Sequence, residues 1–218
     1  MSSAVLVTGT GTGVGKTVAS LALMRAWQAK GLVVQGMKPV AAGAYSSPGG
    51  WVNQDAQWLR NQSSNPLAYE LHNPYLFRAA VAPHLAAAQE NRPLEFAVMG
   101  QALKQLEAVS DRVLVEGAGG FLVPLGAEGN WGDFCRYFSM PVILVVGVEL
   151  GCINHALLTE EAILARGIEC LGWVATILNP HMEQLEGNLE TLKTFLKARF
   201  LGTVPHSANP LGVHFMDG

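Results

Sequence analysis

The chain is expected to fold as an α/β protein, with a mostly parallel central sheet covered by helices on both faces, and three observations carry that expectation. Short apolar runs rich in Val, Ile and Leu alternate with longer segments whose apolar residues recur at helical spacing. Half of the 218 residues are hydrophobic and only 14% are charged, which suits strands buried on both faces rather than a disordered or coiled-coil chain. A glycine-rich turn also joins the first apolar run to the first helical pattern.

The first strand, Ala4–Thr8, runs into Gly9-Thr10-Gly11-Thr12-Gly13-Val14-Gly15 and then a helix over Lys16–Lys30. Glycines let successive backbone N–H groups turn toward one centre, and the helix start adds its own unpaired N–H groups and positive dipole end. Anionic phosphate is the natural guest. Lys16 would reach the β and γ phosphates, and the Thr17 hydroxyl would ligate the accompanying magnesium. Because Thr10 stands where the strict pattern wants glycine, the motif is a variant P-loop, and the expected architecture is a three-layer, P-loop NTPase-like fold.

The second strand, Leu32–Lys38, ends in a cation that needs an anion, unless the lysine snorkels to the surface; a γ-phosphate or a negatively charged substrate would meet it. The Gly-, Ser- and Pro-rich stretch Ala41–Asn53 is expected to be an exposed loop with a mobile tip at Ser46–Gly50. A helix over Asp55–Gln62 follows, and Asp55 serves equally well as a magnesium ligand or as a helix-start carboxylate. Helices are expected over Val81–Glu90 and Leu94–Val109, the latter with Leu94, Val98, Leu103, Leu106 and Val109 along one side.

The third strand, Arg112–Glu116, closes a run of Val and Leu with a carboxylate followed by glycines, a place for a magnesium ligand or for a structural ion pair. The fourth, Pro141–Gly147, belongs to an apolar run too short to span a bilayer. Gly151–Asn154 then repeats the logic of the first loop before a helix over Ile153–Arg166; it would hold a second anion such as a carboxylate, or simply cap the helix. A fifth strand over Leu171–Leu178, a helix over Met182–Ala198 and a short sixth strand near Leu201–Val204 complete the pattern, and the segment after Pro205 is expected to wrap over the surface or cover a ligand. In such a sheet ligands bind outside the carboxyl ends of the strands, so four strand ends converge on one crevice.

No repeat or linker divides residues 1–218, which are expected to form one domain. The net charge of −3 argues against nucleic-acid or acidic-membrane partners. A secretory signal is not expected, because the first residues lack a basic region and their apolar run gives way to Gly and Thr after four residues, and the three unclustered cysteines, Cys135, Cys152 and Cys170, fit reduced thiols in the cytoplasm. Cys152 and His155 lack the two further ligands that a metal site would need.

Taken together, Val7–Thr10, Val14–Thr17, Lys38-Pro39-Val40, Asn73-Pro74-Tyr75, Pro83-His84, Val113–Gly120, Pro141–Val148, Leu150–Ala156 and Gly172–Ala175 resemble the dethiobiotin synthetase family, in order over about residues 4 to 176. The resemblance implies an enzyme of biotin synthesis that joins 7,8-diaminononanoate, carbon dioxide and ATP into dethiobiotin, ADP and phosphate. It implies that Gly13, Val14, Gly15, Lys16, Thr17 and Val18 hold ATP, with Glu116, Thr176, Asn179 and Pro205 completing the nucleotide site. It implies Mg2+ on Thr17, Asp55 and Glu116, and catalytic roles for Lys16, Lys38 and Thr12 around the carbamate and the transferring phosphoryl. Lys38, Ala42 and Gly119 would contact substrate, and the backbone of Cys152 and Ile153 with the Asn154 side chain would hold its terminal carboxylate from the neighbouring subunit of a homodimer.

Three positions depart from the family pattern. Gly11 stands where its loops carry aspartate, Ala42 where a serine helps hold the carbamate, and Thr176 where an asparagine reads adenine, with Asn179 close by. The alternative is a nucleotide-switched ATPase of the partitioning type, but those proteins carry an extra lysine early in the loop, and Thr10–Gly13 offer none.

Overall fold

The computed structural model describes residues 3–207. Its elements are β1 (Ala4–Gly9), α1 (Lys16–Ala29), β2 (Val34–Met37), β3 (Val40–Ala42), β4 (Tyr45–Ser47), β5 (Gly50–Val52), α2 (Gln54–Gln62), α3 (Tyr69–His72), β6 (Tyr75–Phe77), α4 (Pro83–Gln89), α5 (Phe96–Glu107), β7 (Arg112–Glu116), α6 (Trp131–Phe138), β8 (Val142–Val148), α7 (Cys152–Leu164), β9 (Cys170–Ile177), α8 (Leu185–Phe195) and β10 (Phe200–Val204).

Six strands form the central sheet in the order β10-β9-β8-β1-β7-β2, every neighbouring pair parallel. The strands are buried on both sides because alternate residues feed opposite cores. Ala4 and Leu6 join the cluster built with α5 and α6, whereas Val5 and Val7 join the one built with α1 and α2. Leu144 and Val146 of β8 meet α7 and α8, while Ile143 and Val145 face α1. The three-layer α/β architecture expected from the sequence is therefore present.

Several elements differ from the expectations. The 41–53 stretch is exposed in large part, but β4 and β5 form an antiparallel hairpin there, with the tip at Ser46–Gly50, and β3 pairs in parallel with β6. Three-residue strands are too short to display alternation. β2 ends at Met37, so Lys38 lies one residue beyond the strand, its N–H donating to the His72 carbonyl at 2.7 Å. α8 begins at Leu185 rather than Met182 and stops at Phe195. Helices α3 and α6 were not anticipated, although α6 opens on a capping box of Asn130 and Asp133 that the sequence does display. Of the segment after Pro205, the part from residue 208 onward lies outside the described residues.

Candidate active site

The P-loop bends through Gly13 and Gly15, whose φ angles of 77° and 82° lie in the left-handed region that favours glycine. A Cβ on Gly15 would stand 3.0 Å from the Thr176 side chain, and one on Gly147 of β8 would stand 3.0 Å from Val14 Cα. The loop therefore lies directly on the carboxyl ends of β8 and β9. Thr176 helps hold it there: its hydroxyl lies 2.5 Å from the Val14 carbonyl and 3.2 Å from that of Val146. That side chain is buried and turned to the underside of the loop, whereas Asn179 is exposed and caps a turn by accepting from His181 N–H at 2.9 Å.

Lys16 curls across the loop and donates to the Gly11 carbonyl at 2.6 Å. Burial outweighs its neighbours and lowers its pKa to about 8; Glu116 and Asp55 act the other way, while Lys38 adds to the lowering. At the second residue of α1 the Thr17 hydroxyl donates to Glu116 Oε1 at 2.9 Å. Lys38 Nζ reaches the same oxygen at 2.7 Å and Asp55 Oδ2 at 2.5 Å. Lys38 is thus buried and ion-paired rather than snorkelled. Its burial favours the neutral amine, but the Glu116 and Asp55 carboxylates outweigh that and raise its pKa. Both accounts entertained for Glu116 share ground here, since it sits in an ion pair inside the crevice.

These groups line one cavity of about 710 Å³ together with Thr12, Gly13, Gly15, Val18, Ala42 and Gly119. Ala80, Val81, Pro83, Ala118 and Val123 give it an apolar wall. Val14 lies buried beneath the loop, and Cys152, Ile153, Asn154, Thr176, Asn179 and Pro205 do not line that cavity. At the start of α7 Gly151 takes a left-handed φ of 95°, Cys152 is buried with its Sγ 3.8 Å from Asn188 Oδ1, and Asn154 is exposed. Leu150 beside it is 94% exposed, and the exposed Leu122 and Leu158 line a second cavity of about 400 Å³. Burial pushes the Cys135 thiol up to about 12 and that of Cys170 to about 11, which leaves both unreactive.

The oxygen set suits magnesium. Among the described residues no cluster of three or more His, Cys, Asp and Glu could cage a metal. Two carboxylates with a hydroxyl are nevertheless what a small hard cation takes when phosphates and water complete its shell. Glu116 Oε2 is buried without a hydrogen-bond partner, an orphan acceptor at the right place.

Sequence reasoning missed Asn53 and Tyr69, and gave Asn73 no role beyond its place in the Asn73-Pro74-Tyr75 segment; the three tie the backbone around Lys38 to that around Asp55. Asn53 left a local signal of its role, as the residue two before an acidic helix start; its Oδ1 accepts from the N–H groups of Asp55 and Ala56 at 3.1 and 3.3 Å.

The family model described as "AAA domain" matches residues 3–209. Among curated proteins the chain is 47% identical over 203 residues to the ATP-dependent dethiobiotin synthetase BioD of Xanthomonas campestris pv. campestris strain 8004, covering 93% of this chain and 91% of the relative. It is 48% identical to the protein of that name from Aromatoleum aromaticum, covering 92% and 89%, and 46% identical to ATP-dependent dethiobiotin synthetase BioD 1 of Escherichia coli K12, covering 96% and 94%. Similar solved structures include the MinC:MinD cell division protein complex of Aquifex aeolicus, with a TM-score of 0.56 and 15% identity over 94% of this chain and 82% of that one. The signal recognition particle receptor FtsY of Elizabethkingia anophelis gives 0.54 at 15% identity, over 98% and 62%. At that identity they share the fold alone.

Proposed function

The chain belongs to the ATP-dependent dethiobiotin synthetase family, biotin-synthesis enzymes of the ligase type, and from that premise we propose how its own residues run the reaction. One amine of 7,8-diaminononanoate takes up carbon dioxide as a carbamate and loses a proton. A carbamate oxygen attacks the γ-phosphorus, the bond to ADP breaks, and a carbamic-phosphoric anhydride results. The second amine then attacks the carbamate carbon, closing the ring as the C–O bond breaks and phosphate departs with that oxygen. No protein nucleophile enters.

The protein's work is alignment and charge, the usual division of labour in phosphoryl transfer. The P-loop N–H groups and Lys16 hold the polyphosphate, whose charge restores the proton that burial makes Lys16 hold weakly. Thr17, Asp55 and Glu116 would hold Mg2+, which supplies screening of phosphate charge when bound. Of the three N–H donors on the Lys38 ammonium, two meet Asp55 and Glu116, and the third is available to the carbamate. Thr12, exposed at the rim of the same cavity, would contact the transferring phosphoryl, and Ala42 and Gly119 would sit against the diamine.

The substrate's terminal carboxylate would be held by the Cys152–Asn154 helix start of a second copy of the chain. The absence of those residues from the main cavity and the exposed leucines beside them support a homodimer. Residues 1–218 act as one domain in this scheme, in the cytoplasm, with small molecules rather than nucleic acid or membrane as partners. No helix among the described residues is long and apolar enough to cross a membrane.

The observation that carries this function is the meeting of Lys16, Lys38, Thr17, Asp55 and Glu116 in one cavity beside the phosphate loop. With ATP, magnesium and bicarbonate supplied, phosphate release should depend on added diamine. Release indifferent to the diamine would overturn the proposal and favour a nucleotide switch.

A further inference from the structure

The side chains of Lys38 and Asp55 meet through an ion pair, yet they come from chain segments seventeen residues apart with a hairpin between them. Lys38 lies one residue beyond β2, outside its ladder, and Asp55 lies at the opening of a nine-residue helix. Neither backbone N–H is bonded within a strand or helix ladder, that of Lys38 donating to the His72 carbonyl and that of Asp55 to a side chain, and the ion pair is a poor clamp, because both of its members would be needed by substrate and metal during turnover.

A second, uncharged route joins the same two residues. The Asp55 N–H donates to Asn53 Oδ1 at 3.1 Å, and the Asn53 N–H donates to the Tyr69 hydroxyl at 2.8 Å. That hydroxyl donates to Asn73 Oδ1 at 3.1 Å, and Asn73 Nδ2 donates to the Lys38 carbonyl at 2.7 Å. With the Lys38–Asp55 ion pair the chain of bonds closes into a ring. Asn53 and Asn73 are buried, and each makes a further bond outward: Asn53 Nδ2 to the Ala42 carbonyl at 3.2 Å and Asn73 Nδ2 to the Tyr75 carbonyl at 3.0 Å. Tyr69 is the hinge of this arrangement, since one hydroxyl both accepts and donates within it. Neutral hydrogen bonds of this kind, partly buried at Tyr69 and fully buried at the Lys38 carbonyl, fix backbone position without adding charge to the cavity.

We propose that Asn53, Tyr69 and Asn73 are positioning residues that hold the Lys38 and Asp55 backbones at working distance while the side chains of those residues exchange partners during catalysis. The inference rests on the roles given to Lys38 and Asp55 above. It differs from a purely structural role in one respect: the effect must pass through Asp55 and Lys38.

The test is a double-mutant cycle on the full chain, with Tyr69→Phe, Asp55→Asn and both together, read as diamine-dependent kcat, KM for ATP and thermal midpoint. Tyr69→Phe keeps the aromatic side chain and removes only the hydroxyl that makes two links of the hydrogen-bonded ring. It is expected to lower kcat by about 10- to 100-fold, the scale of a small misplacement of reacting groups, with KM for ATP within about two-fold of the parent. In the Asp55→Asn background the same change should cost little more. Asn73→Ala breaks the ring at another link and should behave alike, carrying the test if Tyr69→Phe does not fold. Parental kcat in Tyr69→Phe, or a loss that multiplies in full on Asp55→Asn, overturns the proposal; so does loss of the fold in both ring variants, which would make the ring scaffold only. Unchanged turnover in Asp55→Asn alone overturns the site assignment itself, and the two failures are thereby told apart.

Discussion

Two lysines line the crevice with pKa values moved in opposite directions, and each makes a distinct expectation. Lys16 has a single carbonyl partner, and burial holds its pKa at about 8, down from 10.5. Between those values the unfolded chain keeps a proton that the folded, ligand-free protein has released, so stability should rise with pH across that window. Phosphates beside the ammonium restore its charge. ATP binding at about pH 8.5 should therefore take up a fraction of a proton that vanishes near pH 6.5, seen as a dependence of the calorimetric heat on buffer ionisation enthalpy; heats independent of buffer would refute it. Lys38 is held charged by Glu116 and Asp55. Lys38→Gln should slow turnover by ~10²–10³-fold, the scale for losing one preorganised charge-stabilising donor. It also leaves two carboxylates facing each other without a cation, one of them fully buried. Removing one partner of a buried pair costs about 3 kcal/mol at the lower end of the usual range, fitting here because Asp55 is partly exposed. Added magnesium should raise the thermal midpoint of the variant more than that of the parent, measured by calorimetry. Lys38 and Glu116 were legible in the sequence because each charge closes an apolar run. The roles of Tyr69 and Asn73 were not, since they act through backbone groups of remote segments; Asn73 stands in a segment shared with the family, but nothing around it says what it bonds.

At the level of elements, the phosphate loop owes its place to glycine in the strand beneath it as much as to its own. A methyl group at Gly147 would lie 3.0 Å from Val14 Cα and 2.8 Å from Leu178 Cδ1. Gly147→Ala should leave the sheet intact but lift the loop, and with overpacking costing about 1–3 kcal/mol, ATP affinity should fall by about ten-fold. Titration with a fluorescent ATP analogue measures this, and an unchanged Kd would show that the loop does not rest on β8. All six strands of the central sheet could be read from the sequence as apolar runs broken by glycine or charge, and so could the order of strand, loop and helix. The two small sheets could not, because β3–β6 and β4–β5 pair strands of only three residues. Helix α6 was overlooked although both of its signals are present, a capping box and apolar Trp131, Phe134, Cys135 and Phe138 at helical spacing; its eight residues are short and follow a glycine-rich segment.

For the whole molecule, one chain gathers Lys16, Thr17, Lys38, Asp55 and Glu116 in a common cavity and places the start of α7 outside it. Asn154→Ala should therefore weaken diamine binding far more than ATP binding, as measured by separate titrations; equal loss of both would mean that the carboxylate site lies elsewhere. The sequence placed both regions at strand ends, correctly for the sheet, but in the proposed homodimer α7 would join the cavity only through a second copy of the chain, which is not written in the order of elements. The route of oxygen through the reaction decides whether the enzyme phosphorylates a carbamate at all. Turnover started with freshly dissolved, 18O-labelled carbon dioxide and analysed by mass spectrometry of the released phosphate should place one labelled oxygen in each phosphate. Phosphate carrying only solvent and ATP oxygen would mean that water attacks the γ-phosphorus, and that Lys16 and Lys38 serve nucleotide hydrolysis rather than ring closure.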